Sequence, residues 1–288
     1  MSEFVTTAFV QQYTSNVEML LQQRGSKLRP FVTQGSYNGK SAKAVEQIGQ
    51  IAAQKRLSRH ADTPLISTPH DARWVFPNDW EAADLIDDQD KLRMLIDPTS
   101  QYAMAQAYAI GRAMDDEIIT QALGTAKTGE NGTTNTAFGS GQTAATTAGG
   151  LTIQKLREAK TILLANEVDV DFDPLICIVT AAQIEDLLES TEVTSADYNT
   201  VKALVNGEVD TFMGFKFVHC ERLPVDGSSR RRVIAYAKSG LHLGIWKEVG
   251  GKISERADKS YATQVYTCST FGATRVEEGK VVEILCNE

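Results

Sequence analysis

The run GSYNGKS (35–41) carries the residue types of a phosphate-binding loop. Such a loop needs four residues between its first glycine and the Gly-Lys-Ser/Thr, so that backbone amides wrap the phosphates and the lysine reaches them. Here three residues separate Gly35 from Gly39, and the RPFVTQ run before them is short and polar. No later apolar strand ends in an aspartate placed to hold magnesium; LICIVT closes on Thr180. The run reads as a turn in an extended segment, with a soluble nucleotide-binding enzyme using residues 35–41 as a remote alternative. DVDFDP (169–174) sets three carboxylates at alternate positions, as an EF-hand loop begins. Pro174 stands where that loop needs glycine, and Thr180 where it needs a bidentate glutamate. A solvated edge before a strand fits better.

The other reactive residues form no constellation. His60, His70, His219 and His242 make no HExxH pair and no two-Cys, two-His spacing, and GxSxG is absent. His219 and Cys220 are neighbours, so on a strand they point to opposite faces. Cys177, Cys220, Cys268 and Cys286 are widely spaced, three of them inside apolar runs, as expected of small buried hydrophobes. Arg230, Arg231 and Arg232 follow DGSS and read as a hairpin turn able to meet a phosphate or an acidic surface. Lys40, Lys43 and Lys55 are candidate nucleophiles for cross-links, with nothing to single one out. No catalytic residue, metal site or cofactor emerges.

The bulk numbers agree. A net charge of −8 with no basic stripe argues against a dedicated nucleic-acid binder. No stretch approaches about 18 apolar residues, so no transmembrane helix is expected. The opening MSEFVTTAFVQQYTSN lacks a basic stretch and a long apolar stretch, and reads as the start of a mature cytosolic product and not as a secretory signal. With 42% apolar residues over 288, the chain can bury a core as one large domain or two moderate ones.

The stretch that departs from this ordinary picture is 28–90. It carries Trp74, Phe76 and Trp80 but no apolar run long enough for a buried strand. Residues 28–49 and 63–86 read as two extended legs and 50–62 as the tip. In the second leg the alternation suggests Trp74 and Phe76 inward, Arg73 and Val75 outward. A leg of about 20 residues reaches ~65 Å at ~3.3 Å per residue. A compact globule of this length is only ~50 Å across. The legs must protrude, and an isolated two-stranded hairpin is marginal in water. The expectation is docking on another copy of the chain, with Arg56, Arg59, Arg73, Trp74 and Phe76 as candidate inter-subunit contacts.

Elsewhere the periodicity is ordinary. Residues 1–27 suggest an arm ending in a short helix. Residues 99–123 follow the helical period after Pro98, with Met104, Ala107, Tyr108, Gly111, Met114 and Ile118 on one face, and Gly124 stops them. Within this helix Asp116 and Glu117 are expected in solvent and Asp115 against a base. Residues 124–150, rich in Gly, Thr and Ala, read as a loose surface loop or an extended hairpin. A second helix covers 151–168, a buried strand 175–180, a short helix 181–190, and an apolar helical patch Val201–Val205. Strands follow at 214–224, 231–237 and 240–246, then a long strand or strand pair at 253–276, and a terminal strand at 281–286. Helix, strand, helix and then many strands indicate α+β.

The order of these pieces resembles the major capsid protein of tailed bacteriophages, with the Hong-Kong-97-like fold. DWEAADLIDDQDKLRMLIDPTSQYAMAQAYAIGRAMDDEIITQALG (79–124) looks like the base of the extended loop followed by the spine helix. LTIQKLREAKTILLANEVDVDFDPLICIVTAAQIEDLLES (151–190) looks like the second helix leading into the axial domain. GFKFVHCERLP (214–224) and FGATRVEEGKVVEIL (271–285) look like late strands of that fold. The resemblance implies an N-terminal arm (1–27), an extended loop (28–90), a peripheral domain (91–173 and 247–279) and an axial domain (174–246 and 280–288). It implies no enzyme but a structural, self-assembling shell of hexamers and pentamers around double-stranded DNA, without sequence-specific contact and without a membrane. It also implies a virion location after assembly in the host cytoplasm. The partners implied are a portal, a separate scaffolding protein (no long helical segment precedes residue 28) and a possible decoration protein. An encapsulin-type bacterial nanocompartment shares the fold and is the close alternative.

Overall fold

The computed structural model describes residues 22–55, 58–59, 62, 65–86, 99–144, 149–189 and 211–287. The expectations placed on most of the N-terminal arm, on Arg56 and on the Val201–Val205 patch lie outside the described residues. Three sheets and three helices organise the described residues.

A four-stranded sheet holds β1 (Thr33–Ser36), β4 (Asn78–Ile86), β12 (Leu241–Arg256) and β13 (Ala262–Arg275) in the order β1-β12-β13-β4. Here β1 runs parallel to β12, and the other pairs are antiparallel. The Gly- and Lys-containing run KEVGGK interrupts the apolar pattern, so the sequence suggests two strands. The backbone instead carries one strand through it, absorbing the irregularity in register shifts at Ile245/Lys247 and Lys247/Gly250.

Against this sheet lies α1 (Thr99–Leu123), with the bounds expected from its period. Ile110, Met114, Ile118, Ile119 and Ala122 are its buried apolar side chains. Met104, expected on that face, is exposed. The reason is that the first half of α1 meets β13 through polar groups: Gln106 donates to the Val265 carbonyl and accepts from Thr267.

A six-stranded sheet collects β7 (Thr143–Ala144), β8 (Leu175–Val179), β9 (Thr211–Phe212), β10 (Phe215–His219), β11 (Arg230–Ala237) and β14 (Val281–Asn287) in the order β7-β14-β11-β8-β10-β9. Every residue of β8 is buried, as its unbroken LICIV run requires of a central strand covered on both faces. It is flanked by α2 (Ile153–Ala165), which buries Leu156, Ala159 and Leu163, and by α3 (Ala181–Glu189). The hydroxyl of Thr152 caps α2 by accepting from the Lys155 amide. Burial raises the Cys177 thiol and Tyr236 phenol pKa values far above their ordinary ranges.

The third sheet is small: β2 (Ala42–Ile48), β3 (His70–Val75), β5 (Ala126–Thr128) and β6 (Thr134–Thr136), in the order β2-β3-β5-β6. One expectation is corrected here, and one choice is decided. The legs are free over less than 28–90, because β1 and β4 at their ends belong to the four-stranded sheet. And the Gly/Thr-rich segment is the extended hairpin of the two readings, paired onto β3.

Candidate assembly interface

The β2–β3 pair projects from the four-stranded sheet, and its root is fixed by its own chain. Arg73 is 5% exposed. Its guanidinium donates twice to Glu278, at 2.9 and 2.6 Å, and once to Gln47, whose amide donates to the Val276 carbonyl. Val75, 1% exposed, packs against Gly244 and Gly272. The backbones approach so closely here that a Cβ on Gly272 would sit 2.1 Å from the Phe76 carbonyl oxygen. Arg73 and Val75 therefore face inward, which inverts the alternation expected from the sequence. Trp74 turns the other way, yet its own chain covers part of it. The indole donates to the Gly129 carbonyl at 2.8 Å and packs on Gly132, whose φ of 67° shapes the β5–β6 turn. Phe76 remains 42% exposed.

Glu278 serves a second arginine. Arg275 is fully buried, lies 3.6 Å from Glu278, and donates to the carbonyls of Ala122, Gly124 and Thr136. Ala122 lies in the last turn of α1 and Gly124 directly follows its end, so a cation meets the negative end of the helix dipole. Burial lowers the Arg275 pKa, opposed by Glu278. In β12, His242 is enclosed between two hydroxyls. Thr33 lies 3.0 Å from Nδ1 and Tyr37 2.9 Å from Nε2. Burial lowers the His242 pKa, favouring the neutral ring.

Beyond Ile48 the picture reverses. The Gly49 amide donates to the Pro69 carbonyl, and past that bond the described residues from 50 to 67 are all exposed. They include Ile51, Leu65 and Ile66, with Leu65 at 97%. Arg59 is exposed among them. The structure thus gives Arg73 and Trp74 partners in their own chain and leaves Arg59 and Phe76 open.

The other chemical candidates do not assemble into sites. Gly35 sits in β1 with the Tyr37 ring over it, and β2 follows where a phosphate loop needs a helix. Asp169 accepts from the Asp171 amide, while Asp173 accepts from Ser239. The described His, Cys, Asp and Glu form no cluster able to hold a metal ion. The three arginines, expected at a turn, instead open β11, and each is engaged: Arg230 with Asp226, Arg231 with the Leu223 carbonyl, Arg232 with Glu283.

Three buried polar residues tie distant segments together; Arg275 and Lys155 were not singled out by sequence, and Asp115 was expected against a base. Arg275 is one. Asp115 is another: it meets no base but accepts from the Gln23 and Ser26 side chains and the Lys27 and Leu28 amides, holding the described start of the chain on α1. Its neighbours diverge, Asp116 pairing with Arg222 and Glu117 accepting from Asn78 and Gln121. Burial raises the Glu117 pKa. Lys155 is the third. It donates to the carbonyls of Gly149, Gly150 and Leu285, and burial lowers its pKa.

A family model for the phage capsid protein matches residues 5–288. The chain belongs to the phage capsid protein family. None of the curated proteins compared with this capsid protein matches it. Its fold is that of solved phage shells. The capsid structure of cyanophage P-SCSP1u superposes with a TM-score of 0.77 at 15% identity, covering 99% of this chain and 95% of that one. The structure for Mycobacterium phage Che8 gives 0.74 at 14%, with 96% and 97% covered. The capsid of a native GTA particle gives 0.73 at 12%, with 98% and 96% covered. The resemblance carried by residues 79–124, 151–190, 214–224 and 271–285 therefore stands. The family model and these shells do not favour the encapsulin alternative.

Proposed function

We propose that this capsid protein is the major shell subunit of a tailed double-stranded DNA phage, closing into an icosahedral shell of hexamers and pentamers. The observation that carries this reading is the hairpin beyond Gly49, apolar and basic and exposed at its described residues, set on a root that is rigidly tied to the body. Exposed apolar side chains on a protruding two-stranded element are stabilised by burial against a neighbour. Arg56, Arg59 and Phe76 are inter-subunit contacts in this reading, whereas Arg73 and Trp74 act indirectly, by fixing the hairpin from within. The peripheral domain is 91–173 with 247–279, the axial domain 174–246 with 280–288. The protein is structural and not an enzyme. It resides in the virion and assembles in the host cytoplasm with a separate scaffolding protein and a portal, around DNA contacted without sequence preference.

Excision of residues 50–68, rejoining Gly49 to Pro69 through two residues, tests this. The expected result is a folded subunit with an unchanged melting temperature and no closed shells or rings by negative-stain microscopy, under conditions where the intact chain assembles. Shells formed at normal yield would overturn the reading.

A further inference from the structure

We propose that Asn38 is a site of spontaneous covalent ageing: its side-chain amide closes onto the Gly39 nitrogen and opens to aspartate or isoaspartate, within the strap that joins the body to the hairpin. The pair lies in the run 35–41, which carries the residue types of a phosphate loop without forming one. An Asn-Gly pair offers this reaction least hindrance, because glycine sets no Cβ against the incoming side chain and its backbone turns freely. The chain holds three such pairs, Asn38–Gly39, Asn131–Gly132 and Asn206–Gly207, the last outside the described residues. The structure separates the first two. Asn38, Gly39 and Lys40 are exposed, and a Cβ on Gly39 would have no atom within 4 Å. Among the described residues the Gly39 amide has no acceptor. Gly132 is buried instead, its amide donates to the Gly129 carbonyl at 3.3 Å, and the Trp74 ring packs on it. That nitrogen is committed to its turn, whereas the one at Gly39 is free to meet its neighbour's side chain.

The reaction needs no partner but water. The Gly39 nitrogen attacks Cγ of Asn38 and forms a new N–C bond. The Cγ–Nδ2 bond breaks, and the Gly39 proton departs with the leaving nitrogen as ammonia. Water then opens the cyclic imide. Addition at Cγ restores the ordinary chain with aspartate at 38. Addition at the backbone carbonyl routes the chain through Cγ and lengthens it by one carbon. The position of the pair gives that carbon its effect. Tyr37 is pinned to the body, its amide donating to the Ile245 carbonyl at 2.9 Å and its hydroxyl lying 2.9 Å from Nε2 of His242. Ala42 is already paired with Val75 inside the hairpin. Residues 38–41 therefore stretch between two fixed points, and a longer backbone there slackens one of the two mounts of the hairpin.

Ageing the full chain at pH 7 and pH 9 tests this, read by peptide mass spectrometry with fragmentation that tells isoaspartate from aspartate. In the folded protein Asn38 is expected to convert roughly tenfold or more faster than Asn131, while in guanidinium, where both glycines are free, the two rates should be alike. Conversion should quicken at pH 9, because the attacking amide must lose its proton. Asn38→Gln, which would need a larger ring, should stop conversion at position 38 and leave the melting temperature unchanged. The site is overturned if Asn38 and Asn131 convert alike in the folded chain, if Asn131 leads, or if Asn38→Gln converts at the original rate. Hydrogen exchange over residues 43–48 reads the strap. It is expected to rise several-fold in the isoaspartate form, whereas Asn38→Asp, which adds the charge without the extra carbon, should exchange like fresh protein. The slackened mount is overturned if the isoaspartate form exchanges like fresh protein, or if Asn38→Asp matches it.

Discussion

At its root the hairpin is held from several sides, whereas past Gly49 its described residues meet mostly solvent. Arg73, Gln47, Trp74 and Val75 reach the 276–278 turn, Gly129 and Gly272 of their own chain. Ile51, Leu65 and Ile66 are exposed. The two halves share a strand pair but divide the work. The root spends its side chains on fixing direction, and the tip keeps its own available. An arm that is to find a neighbour must lose little freedom on docking, and a stiff root removes that freedom in advance.

Substitutions can break or sharpen this contrast. The largest expected effect is at the root's deepest point. Arg275→Ala strips the donor from three carbonyls, one buried and two part-buried, and uncouples α1 from Glu278, and should cost about 3–5 kcal/mol in urea unfolding. Gly272→Ala comes next: its methyl group meets the Phe76 carbonyl, a backbone atom that cannot swing aside, so about 1–3 kcal/mol is expected. A smaller effect follows from pH. His242 has a folded pKa below its ordinary 6.5, so the unfolded chain takes up the proton first. Stability should fall as pH drops through 6.5 and level off below the folded pKa. His242→Gln should flatten that slope between pH 7 and 5 in melts, while Glu117, with its raised pKa, contributes the opposite slope just above 4.5. Smallest for stability is Leu65→Ser at the tip, expected within about 0.5 kcal/mol. A large destabilisation there would erase the distinction between root and tip.

Much of the architecture was legible. The bounds of α1, the buried LICIV strand and the two-legged hairpin follow from period, punctuation and composition. The facing of residues 73–76 did not follow, because alternation gives a period of two without its phase, and Arg at one position masked a buried face. The phase is set by Glu278, 205 residues from Arg73 in sequence. Asp115 was read against a base because a buried carboxylate in a charged triplet suggests an ion pair. Its partners are instead the amides and hydroxyl of a turn that carries no period at all. At the tip the reverse holds: composition marks it, and its described residues from 50 to 67 are exposed.

The shared carboxylate of Glu278 has a mechanical consequence. It joins the hairpin through Arg73 and the last turn of α1 through Arg275, so both rest on one short side chain. A tug at the tip travels down the two hydrogen-bonded strands and arrives at the end of a 25-residue rod. The subunit is strung so that displacement of its outermost residues is felt as torque on its longest helix.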